Sequence, residues 1–132
     1  MVHTRVGDYM LLDTIGEGTF GKVKHAVHER TGDQFAVKVM DRRNIRENDL
    51  TLQVRKEISV MMSLHHKNVV KLYQVLSTSA RVYIVMDLVT GGELFDEILE
   101  RKRLPEDMAR HYFLQLIDGL EHCHLRGVYH RD

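Results

Sequence analysis

An α+β fold is expected: a five-stranded antiparallel sheet carrying one embedded helix, followed by two further helices. Three observations predict it. Apolar residues alternate at period two or form short runs from Tyr9 to Met86, the period turns helical after Thr90-Gly91-Gly92, and the only proline, Pro105, stands where a helix opens. The 132 residues carry 19 Lys+Arg against 19 Asp+Glu, a formal net charge of +0. A neutral chain has no excess of cations with which to release counterions from phosphate, which argues against nucleic acid and anionic membrane as partners. Hydrophobic residues at 43% and charged ones at 29% suit a packed core. The lone Cys123 cannot close an internal disulfide, so an intracellular, cytoplasmic setting is expected. No apolar run approaches the roughly 20 residues that a membrane span needs.

The elements follow in order. Residues 1–8 read as an N-terminal extension. Tyr9 to Ile15 carries apolar residues into a Gly-rich turn, Lys22 to His28 alternates, and the turn cluster Glu29 to Asp33 leads into Gln34 to Met40. These three runs make a meander. Asp41 to Leu52 is a polar connector of mixed charge. From Thr51 to Leu64 the apolar positions Leu52, Ile58, Met61, Met62 and Leu64 predict an amphipathic helix. Val69 to Leu76 and Arg81 to Met86, separated by Ser77 to Ala80, have hairpin spacing. Leu94, Phe95, Ile98 and Leu99 then recur at helical spacing. Pro105 suits a first helical turn, and Glu106 and Asp107 favour the positive end of the dipole. Met108, Tyr112, Phe113, Leu116, Ile117 and Leu120 form one stripe, with Gly127 as the stop signal.

Chemistry concentrates in Gly16-Glu17-Gly18-Thr19-Phe20-Gly21, a G-x-G-x-x-G pattern that two unrelated phosphate-binding designs share. A dinucleotide site needs a helix to begin at the third glycine, so that amide groups meet the pyrophosphate. Lys22 to Val27 is instead a strand pattern, which disfavours that design. The other design is a glycine loop between antiparallel strands, lying over the phosphates of ATP, and Val23 completes its G-x-G-x-x-G-x-V form. A hairpin that is Gly-rich for conformational reasons alone is the competing reading.

Further motifs follow in sequence: Ala36-Val37-Lys38 on a strand, Glu57 within Arg55-Lys56-Glu57-Ile58, Val82 to Met86 running into Asp87 and Gly91-Gly92-Glu93, and His130-Arg131-Asp132. Together they resemble the N-terminal half of a eukaryotic-type Ser/Thr protein kinase catalytic domain, with Ala36-Val37-Lys38 standing as V-A-I-K and Phe35 in place of its first Val. Within that family the chain is similar to the calcium/calmodulin-dependent-like group, and nearest to the sucrose-nonfermenting-related and calcineurin-B-like-interacting kinases.

The resemblance implies a kinase N-lobe over 9–86, a hinge at 87–92 and the start of a C-lobe over 93–132. It implies catalytic roles for Lys38, Glu57 and Asp132: Lys38 on the α- and β-phosphates, Glu57 paired with Lys38, Asp132 orienting the attacking hydroxyl. The implied cofactor-binding set is Ile15, Gly16, Glu17, Gly18, Thr19, Phe20, Gly21, Lys22, Val23, Ala36, Lys38, Met86 as gatekeeper, Asp87 and Val89 through their backbones, and Glu93. The cofactors would be ATP and Mg²⁺, and the partners a protein substrate and a regulatory or calcium-sensor subunit.

No metal ligand is expected within these residues. The catalytic-loop Asn and the D-F-G Asp, which hold Mg²⁺ in the family, do not occur after Asp132, so the sequence reads as a truncated, catalytically silent piece with an exposed apolar patch on its last helix. A non-catalytic nucleotide-binding or interaction module is the alternative. His65-His66 and His122-Cys123-His124 have spacings that splay metal ligands, so zinc is not expected.

Overall fold

The computed structural model describes residues 3–18 and 21–128. They form two compact units, one from the described residues up to 63 together with 71–88, the other from 64–70 together with 89–128. In the first unit, strands β1 (Thr4–Val6), β2 (Tyr9–Gly18), β3 (Gly21–His28), β4 (Gln34–Asp41), β5 (Leu72–Ser77) and β6 (Arg81–Asp87) build one antiparallel sheet in the order β1-β2-β3-β4-β6-β5. Two helices, α1 (Arg42–Glu47) and α2 (Thr51–Met62), lie between β4 and β5 in the chain.

The α+β class and the order of elements match expectation, with two short additions. β1 falls within the stretch read as an extension and pairs Thr4 with Leu11 and Val6 with Tyr9. Three residues are too few for an alternation to register in the sequence. α1 falls in the connector. Its start is fixed by the Asp41 carboxylate, which accepts from the amides of Arg43 (2.8 Å) and Asn44 (3.4 Å), and only Ile45 of the helix is buried. A helix this short draws its stability from that cap and from packing, not from propensity.

The sheet buries both faces. One is closed by Tyr9, Leu11, Ala26, Val37, Tyr83 and Val85, with Phe35, Val39 and Leu76 packed around them. Val37 and Val85 are fully enclosed there, and burial of a side chain of that size contributes about 1.5–3 kcal/mol. On the other face Met40, Leu72 and Ile84 meet Ile45 of α1 and Val54 of α2, with Ile58 and Met61 beside them. Val54, Ile58 and Met61 stand four and three residues apart, one stripe of the helix.

That stripe corrects the expected one. Leu52 is 81% exposed and Met62 49%, and Leu64 lies beyond the end of the helix, because Val54 sets the phase that faces the sheet. The fifth strand also begins later than expected, at Leu72 and not Val69.

In the second unit, α3 (Leu94–Arg101) precedes α4 (Glu106–Leu125). Pro105 is the N-cap of α4 with extended backbone, so the helix opens one residue later than the sequence suggests. At the other end Val128 N–H donates to Cys123 O (2.9 Å) and Gly127 N–H to His124 O (3.0 Å), with Gly127 at φ 73°. This is a Schellman closure, which needs a residue that tolerates positive φ. Tyr112 donates to Glu97 Oε2 (3.1 Å), tying α4 to α3.

Segment 64–70 also lies against α4. His65 N–H donates to His122 Nε2 (3.2 Å), Asn68 Nδ2 to Asp118 Oδ2 (3.4 Å), and His66 Nε2 stands 3.5 Å from that same oxygen. A Cβ at Gly119 would meet the Asn68 carbonyl oxygen at 3.0 Å. Within the predicted stripe of α4, Met108, Tyr112 and Leu120 are half-buried, whereas Phe113, Leu116 and Ile117 are exposed. No helix among the described residues is long and apolar enough to cross a membrane.

Candidate functional site

Strand register brings most of the first unit's candidate residues onto one face of the sheet. Gly16 pairs with Val23, Val23 with Lys38, and Lys38 with Ile84. Two residues away along β4, Ala36 pairs with Met86, which in turn pairs with Leu72. Directly opposed residues of an antiparallel pair share a face, and so do residues two apart on one strand. Gly16, Val23, Lys38, Ala36 and Met86 therefore occupy adjacent rows of the same surface. Since Met40, Ile84 and Leu72 belong to it too, this is the face against which α2 packs.

Lys38 is half-buried at the centre of its row, flanked along β4 by buried Val37 and half-buried Val39, which point the opposite way. Ile84, its cross-strand neighbour, was not singled out from the sequence, although the apolar run Val82 to Met86 carried the signal. Glu57 stands on α2 between Val54 and Ile58, at the flank of the stripe that meets the sheet. Its carboxylate is exposed and accepts from Gln53 Nε2 (3.4 Å). Lys38 and Glu57 are thus on the same side of the sheet, the arrangement that an interaction between them requires.

The three glycines differ in what the fold demands of them. A Cβ at Gly21 would fall 1.9 Å from Val39 O, an overlap with neighbouring backbone that no rotamer relieves. A Cβ at Gly16 would rest 3.7 Å from the Val23 side chain, and one at Gly18 would be 4.0 Å from Gly21 O, both ordinary contacts. Close approach of β3 to β4 explains Gly21 alone. The conformational reading of the loop therefore leaves Gly16 and Gly18 without a reason, whereas a ligand approaching their backbone supplies one. Glu17 and Lys22 pair across the two strands, and Ile15 is 52% exposed. Thr19 and Phe20 lie outside the described residues.

Where β6 ends, Asp87 is held by both carboxylate oxygens. Oδ2 accepts from Lys71 N–H (2.8 Å) and Oδ1 from the Tyr73 hydroxyl (2.5 Å), while its own N–H donates to Lys71 O (3.0 Å). The hydrogen bond to Asp87, with burial adding to it, raises the Tyr73 phenol above its ordinary value, keeping it a donor. Asp87 therefore clamps the start of β5 with both its side chain and its N–H. Met86 is half-buried against the α2-side core.

In the second unit Val89 is 67% exposed, and Glu93 is the N-cap of α3. Glu93 makes no side-chain cap bond, so its exposed carboxylate is not committed to the helix. Asp132, with His130 and Arg131, lies outside the described residues. Among the described residues no group of three or more His, Cys, Asp or Glu is placed to hold a metal ion.

A glycine-bearing β2–β3 hairpin, a strand lysine in the row beside it and a helix carrying Glu on the same side of the sheet are the N-terminal parts of a kinase fold. Residues 9–132 match the family model described as the protein kinase domain, and the chain belongs to that family. It is 51% identical over 128 residues to CBL-interacting serine/threonine-protein kinase 24 of Arabidopsis thaliana, covering 97% of this chain and 29% of that protein. Against CBL-interacting protein kinase 32 of Oryza sativa subsp. japonica the identity is 50% over 131 residues, 99% of this chain and 30% of that protein. The 132 residues thus span less than a third of the length of these relatives.

Proposed function

We propose that these residues form the nucleotide-binding part of an ATP-dependent Ser/Thr protein kinase. The observation that carries this reading is the placement of Gly16, Val23, Lys38, Ala36 and Met86 on one sheet face, in a hairpin whose first two glycines the fold itself does not require. The residues fit a triphosphate nucleotide. Backbone amides at Gly16 and Gly18 can approach phosphate without a Cβ in the way, and Lys38 offers a cation on the same surface. Ile15, Val23, Ala36 and Met86 supply apolar contact for a base, with the backbones of Asp87 and Val89 at its polar edge.

When bound, ATP supplies the transferable phosphoryl group, and Mg²⁺ offsets its charge. Lys38 binds and orients the α- and β-phosphates, Glu57 positions Lys38, and Asp132 orients the substrate hydroxyl. Glu93 serves the ribose or a basic residue of the protein substrate. Asp96 and Glu97 add negative charge near it, so a basic residue beside the phosphorylated Ser or Thr is the expected substrate feature. No residue here is assigned to Mg²⁺, and taken alone the 132 residues are expected to transfer no phosphoryl group. The printed names of the relatives support a calcium-sensor subunit of the CBL type as regulatory partner, and the setting proposed is cytoplasmic.

The test is Lys38→Met in the full natural protein. Misplacement of the triphosphate by loss of one anchoring cation should lower phosphotransfer by about 10²-fold or more while part of the nucleotide affinity survives. Turnover equal to that of the unmodified protein would refute the assignment.

A further inference from the structure

β5 carries one residue more than β6 can match. Leu72 stands opposite Met86 and Gln74 opposite Val85, so Tyr73 has no partner in the register and is the extra residue of a β-bulge. Successive side chains of a regular strand point to opposite faces, but Tyr73 and Gln74 fall on the same one. Gln74 Oε1 accepts from the Tyr9 hydroxyl (3.1 Å), and the Tyr73 ring stands edge-on to Phe35 (centroids 5.2 Å apart), which meets Tyr9 in turn (5.6 Å). Phe35 is the cross-strand partner of Asp87 and precedes Ala36 on β4, so this cluster lies on the face opposite Gly16, Val23, Lys38, Ala36 and Met86.

The bulge interrupts the ladder beside Asp87, the last residue of β6. Two residues of a hydrogen-bonded antiparallel pair normally exchange both N–H···O bonds. Asp87 N–H does donate to Lys71 O (3.0 Å), but Lys71 N–H goes to Asp87 Oδ2 (2.8 Å). The carboxylate thus takes the donor that a regular ladder would give to the Asp87 carbonyl. Its second oxygen is held by the Tyr73 hydroxyl (2.5 Å), a charge-assisted bond of the stronger kind. The ring that presents this hydroxyl is fixed by Phe35 and by Lys71, whose Nζ lies 4.8 Å above its centre.

We propose that Tyr73 is a positioning residue for adenine: from the far side of the sheet it holds the Asp87 carboxylate on Lys71 N–H, which keeps the Asp87 carbonyl available to the 6-amino group of the base. The proposal rests on the nucleotide reading given above and adds to it a residue that cannot touch the nucleotide. Hydrogen bonds weaken steeply away from their best distance and angle, so an Asp87 backbone held less firmly costs affinity for the base edge. The triphosphate is held by other residues and should not sense the change.

The test uses the full natural protein and Tyr73→Phe, which removes the hydroxyl and keeps the ring against Phe35 and Lys71. Two phosphoryl donors are compared, ATP and the triphosphate of unsubstituted purine riboside, which lacks the 6-amino group. In the variant the KM for ATP should rise about threefold to tenfold while kcat changes by less than about twofold. The KM for the amino-free nucleotide should agree between variant and unmodified protein within about twofold. Asp87→Ala should show the same selectivity for ATP, and adding Tyr73→Phe to it should cost nothing more; it decides the matter if the Phe variant unfolds. An unchanged KM for ATP, or an equal loss for both nucleotides as general loosening of the fold would give, would overturn the proposal. Failure of the unmodified protein to use ATP would refute the kinase assignment itself, so the two failures are separable.

Discussion

Gly21 and Gly16 belong to one motif yet answer to different constraints. At Gly21 a methyl group would overlap the Val39 carbonyl oxygen, so Gly21→Ala must push β3 away from β4 and should cost about 1–3 kcal/mol in urea or thermal unfolding. At Gly16 the same change meets only the Val23 side chain at van der Waals distance, so Gly16→Ala should unfold within about 0.5 kcal/mol of the unmodified protein and lose nucleotide affinity instead. Equal destabilisation by both would mean that the hairpin, not a ligand, explains the glycines. The sequence made the motif legible but not this division, because the contact that singles out Gly21 comes from β4, on the far side of a turn. Lys38 was legible as an anomaly, a cation within an apolar strand, and the register adds its row neighbours Val23 and Ile84. The hold of the Asp87 side chain on Lys71 and Tyr73 was not legible, because it joins β6 to the start of β5 across the hairpin.

Among the elements, long periodic segments were read well and short or phase-dependent ones were not. The β2 to β4 meander, the β5–β6 hairpin and both late helices follow their patterns. β1 and α1 are too short to show a period, and α1 depends on a cap at Asp41 that is apparent only once the end of β4 is known. α2 was found, but two of the residues assigned to its buried stripe point outward, since the sheet selects the Val54 phase. The docking of segment 64–70 on α4 was not legible at all, because it joins residues some fifty positions apart. That docking should respond to pH. Burial, together with Arg126, His66 and His65, lowers the His122 imidazole below its ordinary value, against the opposing pull of Asp118. As pH falls from about 6.5 the unfolded chain takes up this proton first, so the stabilisation present above that pH is lost as pH falls through the folded value. The protection factors of the His65 and Asn68 amides, taken relative to the intrinsic exchange rate at each pH, should therefore fall in mild acid, and His122→Phe should remove that component of the slope. An unchanged slope in the variant would assign the effect to another group.

At the scale of the molecule, composition alone described a neutral chain with an ordinary core, which argued against nucleic acid but named no chemistry. The order of motifs along the chain named the family, and the match over residues 9–132 places the chain within it. What the sheet adds is simultaneity: candidates spread from Gly16 to Met86 stand in two adjacent rows of one surface. Backbone hydrogen-deuterium exchange of the full natural protein, with and without saturating Mg-ATP, tests that claim most directly. The account predicts nucleotide-dependent protection in the segments that carry Gly16 to Val23, Ala36 to Lys38 and Met86 to Val89. Protection confined to other segments, or none at all at saturating nucleotide, would contradict it.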